Sequence, residues 1–346
     1  MREGASAADR PEDVRPEVTI IVPARDEELN IGACLTSLIN QTGPSFEIIV
    51  IDDDSHDKTN QIARSFDKVR VISAAPLRSG WTGKANAIHS AIPFAKGDWF
   101  LFTDADTTHM PGSLERSLYE AKTHGVSLLS FSPKQNVGTF WERAVQPIIF
   151  SELARTFSYE KINDPNSPAA AANGQYILVH RKEYEDVGGH SSVKGSLLED
   201  VELARQIKRL GSIRFRYGPD IVSARMYRNL HYLIEGWTKN LAGLFPHPPA
   251  LALRRSLESV VLICGPLATA LAIMLNHLLA GAILGSLVLL MYFQFAMRLQ
   301  RGGWHFFKAL PSVMGLPLFC FLLFRSYNRY SVKKSVVWKG RTYRPG

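Results

Sequence analysis

No aspartate or glutamate occurs after Glu258 in this chain of 346 residues, although ten lysines and arginines do. Before Ser259 the two signs nearly balance, so the net charge of +8 belongs to the C-terminal end. That placement excludes a basic face on the folded part, and with it nucleic-acid binding. Cysteine is scarce, at three residues: Cys34, Cys264 and Cys320. They have no ligand spacing, and two lie in apolar segments, which excludes a disulfide framework and a zinc site and fits a reducing, cytoplasmic setting. Residues 1–17 lack an apolar core, so no signal peptide is expected there, only a flexible arm. Residues 259–297 lack any charged side chain.

What is present begins with short apolar runs that alternate with helical patterns. Residues 18–23, 46–51, 69–72, 99–102 and 128–131 read as buried strands rich in β-branched and aromatic residues. Helices are expected over 31–38, with Asn30 as cap, over 58–66, and over 141–159 with a break at Pro147. A strand over 176–179 and an amphipathic helix from Glu199 follow. Strand and helix in alternation predict an α/β domain over 18–245 with a doubly wound parallel sheet. Ligands of such sheets sit at the carboxyl ends of the strands.

Three polar clusters fall at strand ends. Asp104 and Asp106, spaced i, i+2 after the run 99–102, put two carboxylates on one side of the chain, where they can share Mg2+ or Mn2+. A cation there can grip a diphosphate as it leaves. Read alone, an Asp-x-Asp is more often a solvated turn. Residues 23–27 and 52–54 end two further strands, and three clusters converging on one crevice favour a site. Gly80-Trp81-Thr82-Gly83-Lys84 is either a loop approaching a phosphate or an ordinary helix start with a surface lysine; it lacks P-loop spacing. Glu199 and Asp200 open a helix, where an acid is either a base facing the crevice or a cap.

As an ordered set, Ile21-Val22-Pro23-Ala24-Arg25-Asp26-Glu27, Val50-Ile51-Asp52-Asp53-Asp54-Ser55, Gly83-Lys84-Ala85-Asn86-Ala87, Thr103-Asp104-Ala105-Asp106 and Glu199-Asp200 resemble family 2 glycosyltransferases, inverting enzymes of GT-A fold. Gly80 to Lys84, Gly236-Trp237-Thr238-Lys239-Asn240 and Trp338-Lys339-Gly340-Arg341 look most like the membrane-associated hopene-associated and carotenoid-acid glycosyltransferases. The resemblance implies that Pro23, Ala24, Arg25 and Glu27 surround the nucleotide base and ribose, and that Asp53 hydrogen-bonds the uracil edge. It implies that Lys84 lies near the diphosphate. Asp104 and Asp106 would be the metal-binding pair, Asp106 the more direct ligand, and Asp200 the catalytic base. Glu199, Trp237 and Lys239 would belong to the acceptor and diphosphate side. The Gln-x-x-Arg-Trp of processive synthases is missing, which implies addition of a single hexose.

Residues 246–326 read as a membrane segment. Two apolar stretches, about 257–297 in all, meet at Asn276-His277 as a helical hairpin. Arg254, Arg255, Arg298 and Arg301 flank it on one side, as the positive-inside rule expects. A third apolar stretch, about 304–325, is interrupted by Lys308, Pro311 and Pro317 and is expected to lie at the interface rather than cross. That keeps the basic tail, 327–346, cytoplasmic and beside acidic lipid. The expectation is a multi-pass cell-membrane enzyme with a cytoplasmic catalytic domain, a nucleotide-sugar donor expected to be UDP-linked, and a lipid or isoprenoid acceptor. A sugar nucleotidyltransferase, or an idle scaffold of the same fold, are the competing readings; neither needs Asp200.

Overall fold

The computed structural model describes residues 15–305 and 310–344. The arm expected over 1–17 therefore lies outside the described residues except at its end. The first half runs β1 (Val18–Ala24), α1 (Ile31–Ile39), β2 (Phe46–Asp52), α2 (Thr59–Arg64), β3 (Val69–Ser73), α3 (Gly83–Ala91), β4 (Trp99–Phe102), β5 (Thr107–His109) and α4 (Ser113–Thr123). Then come β6 (Leu128–Ser132), β7 (Lys134–Gln135), α5 (Phe140–Thr156), α6 (Tyr159–Asn163), β8 (Ile177–His180), α7 (Arg181–Asp186), α8 (Gly189–Ser192) and α9 (Glu199–Ile207). The chain ends with β9 (Ile213–Tyr217), β10 (Val222–Ala224), α10 (Leu230–Leu244), α11 (Pro248–Met274), α12 (Leu278–Arg301), α13 (Ser312–Tyr327), β11 (Val336–Trp338) and β12 (Arg341–Tyr343).

Seven strands form one sheet in the order β3-β2-β1-β4-β8-β6-β9. Both faces are covered, which is why β1, β2 and β4 read as unbroken apolar runs rather than alternating ones. Ile20, Val22, Leu101 and Leu178 pack on one face with α1, and Ile21, Phe100, Phe102 and Val179 on the other with α3 and α9. The sequence predicts a parallel sheet, but the sheet is mixed: β8 runs antiparallel to β4 and β6. The loop before β8 crosses the crevice at Gly174, so the strand enters the sheet from the end where its neighbours finish. A second small sheet, β5-β10-β7, closes the crevice. The arrangement is that of a mixed α/β domain, consistent with a GT-A type.

Two local expectations fail for identifiable reasons. Asn30 precedes α1 but makes no cap bond. Its amide instead donates to Glu27 Oε2 at 2.7 Å, and its oxygen accepts from Arg228 at 2.7 Å. Pro147 does not break α5, which continues through it. Proline removes the N–H that would reach the carbonyl four residues earlier. That carbonyl, of Arg143, accepts from Ser312 Oγ of α13 at 3.4 Å.

α11 and α12, of 27 and 24 residues, are each long and apolar enough to cross a membrane. They meet at Asn276, whose φ of 60° makes the tight reversal. Large side chains stand exposed along both, including Leu267 at 73%, Met274 at 79%, Leu279 at 76% and Leu289 at 71%. α13 differs: it is short, and Leu316, Phe319, Leu322 and Leu323 are fully buried against α5, α10 and α11. Of the four flanking arginines, Arg255 and Arg298 do not face outward. Arg255 meets Glu152 at 2.6 Å and Glu258 at 2.8 Å, and Arg298 meets Glu258 at 2.8 Å, in a buried cluster between α5 and the helical pair. β11 and β12 form a hairpin that returns to the crevice of the N-terminal domain.

Candidate active site

The crevice lies at the ends of β1, β2 and β4 and encloses about 1430 Å³. Ligand pockets commonly measure about 300–1,000 Å³, so there is room for two substrates. One end is polar, at Asp53 and Lys84, and the other is apolar, at Phe150, Leu153, Phe157, Leu244 and Trp304. The apolar end adjoins the end of α12.

Asp104 and Asp106 follow β4 and project into the crevice, each partly exposed. Asp104 Oδ1 accepts from Lys84 Nζ at 2.7 Å, and Asp106 Oδ1 from Gln175 Nε2 at 3.3 Å. Burial, then the charges of Asp104 and Glu27, push the Asp106 carboxyl up to about 7. Such crowding of negative charge is what a divalent cation relieves, and the donors are hard oxygens, so the pair fits Mg2+ or Mn2+. Among the described residues no group of three His, Cys, Asp or Glu converges on one point. A cation here would complete its shell from water and substrate oxygens, the habit of Mg2+.

Lys84 sits in the first turn of α3, whose N-cap Thr82 accepts from Ala85 N. Its ammonium also meets Glu199 Oε1 at 3.2 Å. Burial disfavours its charge, but Asp104, Glu199 and Asp200 outweigh burial and hold its pKa above the ordinary lysine range. Glu199, buried in the first turn of α9, is held ionised despite burial by Lys84 and Lys239. Asp200 follows it but is not the cap, which is Leu198. Its Oδ2 accepts from Gly174 N and its Oδ1 from Val201 N, both at 2.8 Å. Burial and then Glu199 push the Asp200 carboxyl up to about 6. A carboxylate poised there can accept a proton near neutrality.

The remaining expected residues also line the crevice. Pro23 and Ala24 close β1. Arg25 donates to the carbonyls of Asp53 and Asp54 at 2.6 and 3.1 Å, pinning the end of β2. Trp237 of α10 is buried between Tyr227 and Phe150, and its indole nitrogen has no partner. Burial lowers the Lys239 pKa, and its ammonium lies 5.2 Å from the Trp338 ring. Two groups were not expected from sequence. Gln175 and Gly174 orient Asp106 and Asp200 from the loop before β8. Lys339 and Arg341, in a tail read as facing lipid, instead reach Glu27 and Asp53. The Val-Val-Trp-Lys-Gly-Arg-Thr-Tyr run, with Lys-Gly between β-forming residues, is a hairpin signal that could have found them.

Residues 19–188 match the family model described as Glycosyl transferase family 2. The chain is 30% identical over 234 residues to a 4,4'-diaponeurosporenoate glycosyltransferase of Staphylococcus aureus (strain USA300), covering 65% of this chain and 60% of that protein. A protein of the same name from Staphylococcus haemolyticus is 28% identical over 336 residues, covering 94% of this chain and 88% of that one. A mannosyltransferase from Pyrobaculum calidifontis, solved with GDP-Man and Mn2+, superposes with a TM-score of 0.55 at 18% identity, covering 96% of this chain and 92% of that one. That likeness is one of fold.

Proposed function

We propose, from the match of residues 19–188 to the glycosyl transferase family 2 model, a membrane-associated transferase that moves one hexose from a nucleotide sugar to a lipid or isoprenoid acceptor, with inversion. The observation that supports it most is the crevice itself. Its polar end gathers Asp104, Asp106, Lys84 and Asp200, and its apolar end opens beside the helices fit for a membrane. The relatives' names, which specify a carotenoid-type acid as acceptor, point the same way.

The donor's nucleotide would lie toward Asp53 and Glu27, and its diphosphate toward Asp104, Asp106 and Lys84. Bound at Asp104 and Asp106, Mg2+ or Mn2+ supplies positive charge to the departing diphosphate. Lys84, held charged by three carboxylates, adds a fixed cation on the same side. The acceptor oxygen attacks C1 from the face opposite the leaving diphosphate, which inverts the anomeric centre. Asp200 accepts the proton of a hydroxyl acceptor as the bond forms. A carboxylate acceptor is already ionised and needs no such step. Glu199, held by Lys84, keeps its charge against Asp200 and so maintains the raised basicity of the base.

Membranes containing the protein, incubated with labelled UDP- and GDP-hexoses, should move label into the lipid extract with one donor preferred. Release of sugar-1-phosphate and nucleoside triphosphate that requires added pyrophosphate, without labelled lipid, would instead support nucleotidyl transfer.

A further inference from the structure

The last described residues include a hairpin that forms a two-stranded sheet of its own, β11-β12. Its turn is Lys339-Gly340, with φ of 45° and 75°, the conformation of a tight two-residue hairpin. The hairpin is anchored on α10 at the crevice rim: Val336 is 1% exposed, and Lys339 N donates to Glu235 of α10 at 3.1 Å. From that anchor its cationic side chains reach inward. Lys339 Nζ donates to Glu27 Oε1 at 2.6 Å and to the carbonyl of Arg25. Arg341 pairs with both oxygens of Asp53, one of them at 3.1 Å. Tyr343 Oη accepts from Gly83 N at 3.4 Å, beside Lys84.

We propose that Arg341 and Lys339 are positioning residues for the nucleotide of the donor, fixing Asp53 and Glu27 from a hairpin that forms the outer wall of the donor pocket. The inference rests on the reading of the crevice as a donor site. Three properties carry it. A nucleoside diphosphate is anionic, and the crevice floor presents Glu27, Asp53, Asp104 and Asp106; two tail cations offset two of these. A carboxylate has about four acceptor positions, and the guanidinium fork takes one on each oxygen, leaving Asp53 able to accept a nucleobase N–H. Asp53 is also nearly buried, and burial raises its pKa; Arg341 and Arg25 work against that. A protonated Asp53 would donate where an ionised one accepts, and would misread the base edge.

Nucleotide binding by the full chain in lipid nanodiscs tests this, with UDP and GDP as probes and calorimetry as readout. Arg341→Ala should weaken the preferred nucleotide by roughly tenfold to a hundredfold, the worth of a charged hydrogen bond. The loss should grow toward low pH, where the unsupported Asp53 protonates. Arg341→Lys should restore part of the affinity, and Lys339→Ala should weaken binding less. Lys333→Ala, an exposed tail cation away from the crevice, should bind as the parent does. In turnover, the loss in Arg341→Ala should appear in the donor KM, with kcat within about threefold. Unchanged or tighter nucleotide binding by both Arg341→Ala and Lys339→Ala would make the hairpin a plug or a mere clip and overturn the inference. If the parent itself binds no nucleotide, the reading of the crevice falls, and the inference with it. If Arg341→Ala does not fold, Arg341→Lys and Lys339→Ala decide between these outcomes.

Discussion

Replacing Asp200 with Asn separates chemistry from architecture at the centre of the crevice. The carboxylate makes two hydrogen bonds, accepting from Gly174 N and from Val201 N at 2.8 Å each. Asn offers one oxygen, so it retains one of these bonds and turns its amide donor toward the other N–H. The structural cost is that of one buried hydrogen bond left unmade, about 1–3 kcal/mol. That is enough to lower the melting temperature but not to unfold a domain with a core of this size. The chemical cost is larger. Loss of a general base slows a reaction typically by about 10²–10⁴-fold, and Asn cannot accept a proton at neutral pH.

The assay pairs a thermal melt with lipid transfer at saturating donor, and the product is treated with alkali. A sugar on a hydroxyl is a glycoside and survives; a sugar on a carboxylate is an ester, which alkali hydrolyses to free sugar and carboxylate. Asp200→Asn should melt lower, bind nucleotide normally and lose alkali-stable product by the factor above. In the parent, formation of that product should rise with pH through about 6, where the base loses its proton, and then level off. Alkali-stable product formed by Asp200→Asn within a few-fold of the parent would reduce Asp200 to a clip between α9 and the loop at Gly174.

Three further outcomes are expected. Asp106→Asn should abolish divalent-dependent donor binding while the melt is preserved. In the parent that dependence should strengthen as pH rises through about 7, because a raised carboxyl must lose its proton before it can hold a cation; equal activity of the variant in chelator would refute the metal assignment. Glu152→Ala should destabilise the protein by about 1–3 kcal/mol, since it removes one of the two carboxylates that meet the buried Arg255 guanidinium; a melt shift of under a degree would refute a structural role for the cluster. With Cys264 replaced by Ala, cysteines introduced at Lys68 and Ser335 should react with an impermeant thiol reagent only from the same side of the membrane, and labelling of one site alone would mean an odd number of crossings.

The parts of this fold that were legible in the sequence are those whose cause is local. β1, β2 and β4 are buried on both faces, so each is a short apolar run, and each gives way to charged residues, Arg25-Asp26-Glu27, Asp52-Asp53 and Asp104, where the chain meets the crevice. The turn at Asn276-His277 was legible for the same reason: a polar pair interrupts an uncharged run. Asp104, Asp106, Lys84 and Asp200 could be singled out because each adjoins a recognisable strand or helix, and in the structure Lys84 pairs with Asp104 and Glu199 while Gly174 and Gln175 of one loop hold Asp200 and Asp106. β7 and β10, of two and three residues, carry too little pattern to be seen.

What was illegible depends on partners far along the chain. Asn30 has the residue type of a helix cap, but Arg228 and Glu27 compete for its side chain, and charged partners win over a single backbone N–H. Pro147 has the residue type of a helix breaker, but Ser312, brought in by α13, satisfies the carbonyl that proline leaves free. The basic tail reads locally as a lipid-facing segment, because the charge rule counts residues and not their partners. Two of its cations are instead committed to carboxylates 288 and 312 residues earlier. That commitment also bears on topology. A hairpin that pairs with Asp53 and Glu27 must share their side of the membrane, so the chain between them crosses an even number of times. α11 and α12 would account for two crossings if they span, and α13, which packs against α5 and α10 as well as α11, is expected to add none. The sequence expectation kept the tail on the catalytic domain's side by counting positive charges; ion pairing inside the crevice argues for that side on a separate ground, contact rather than preference.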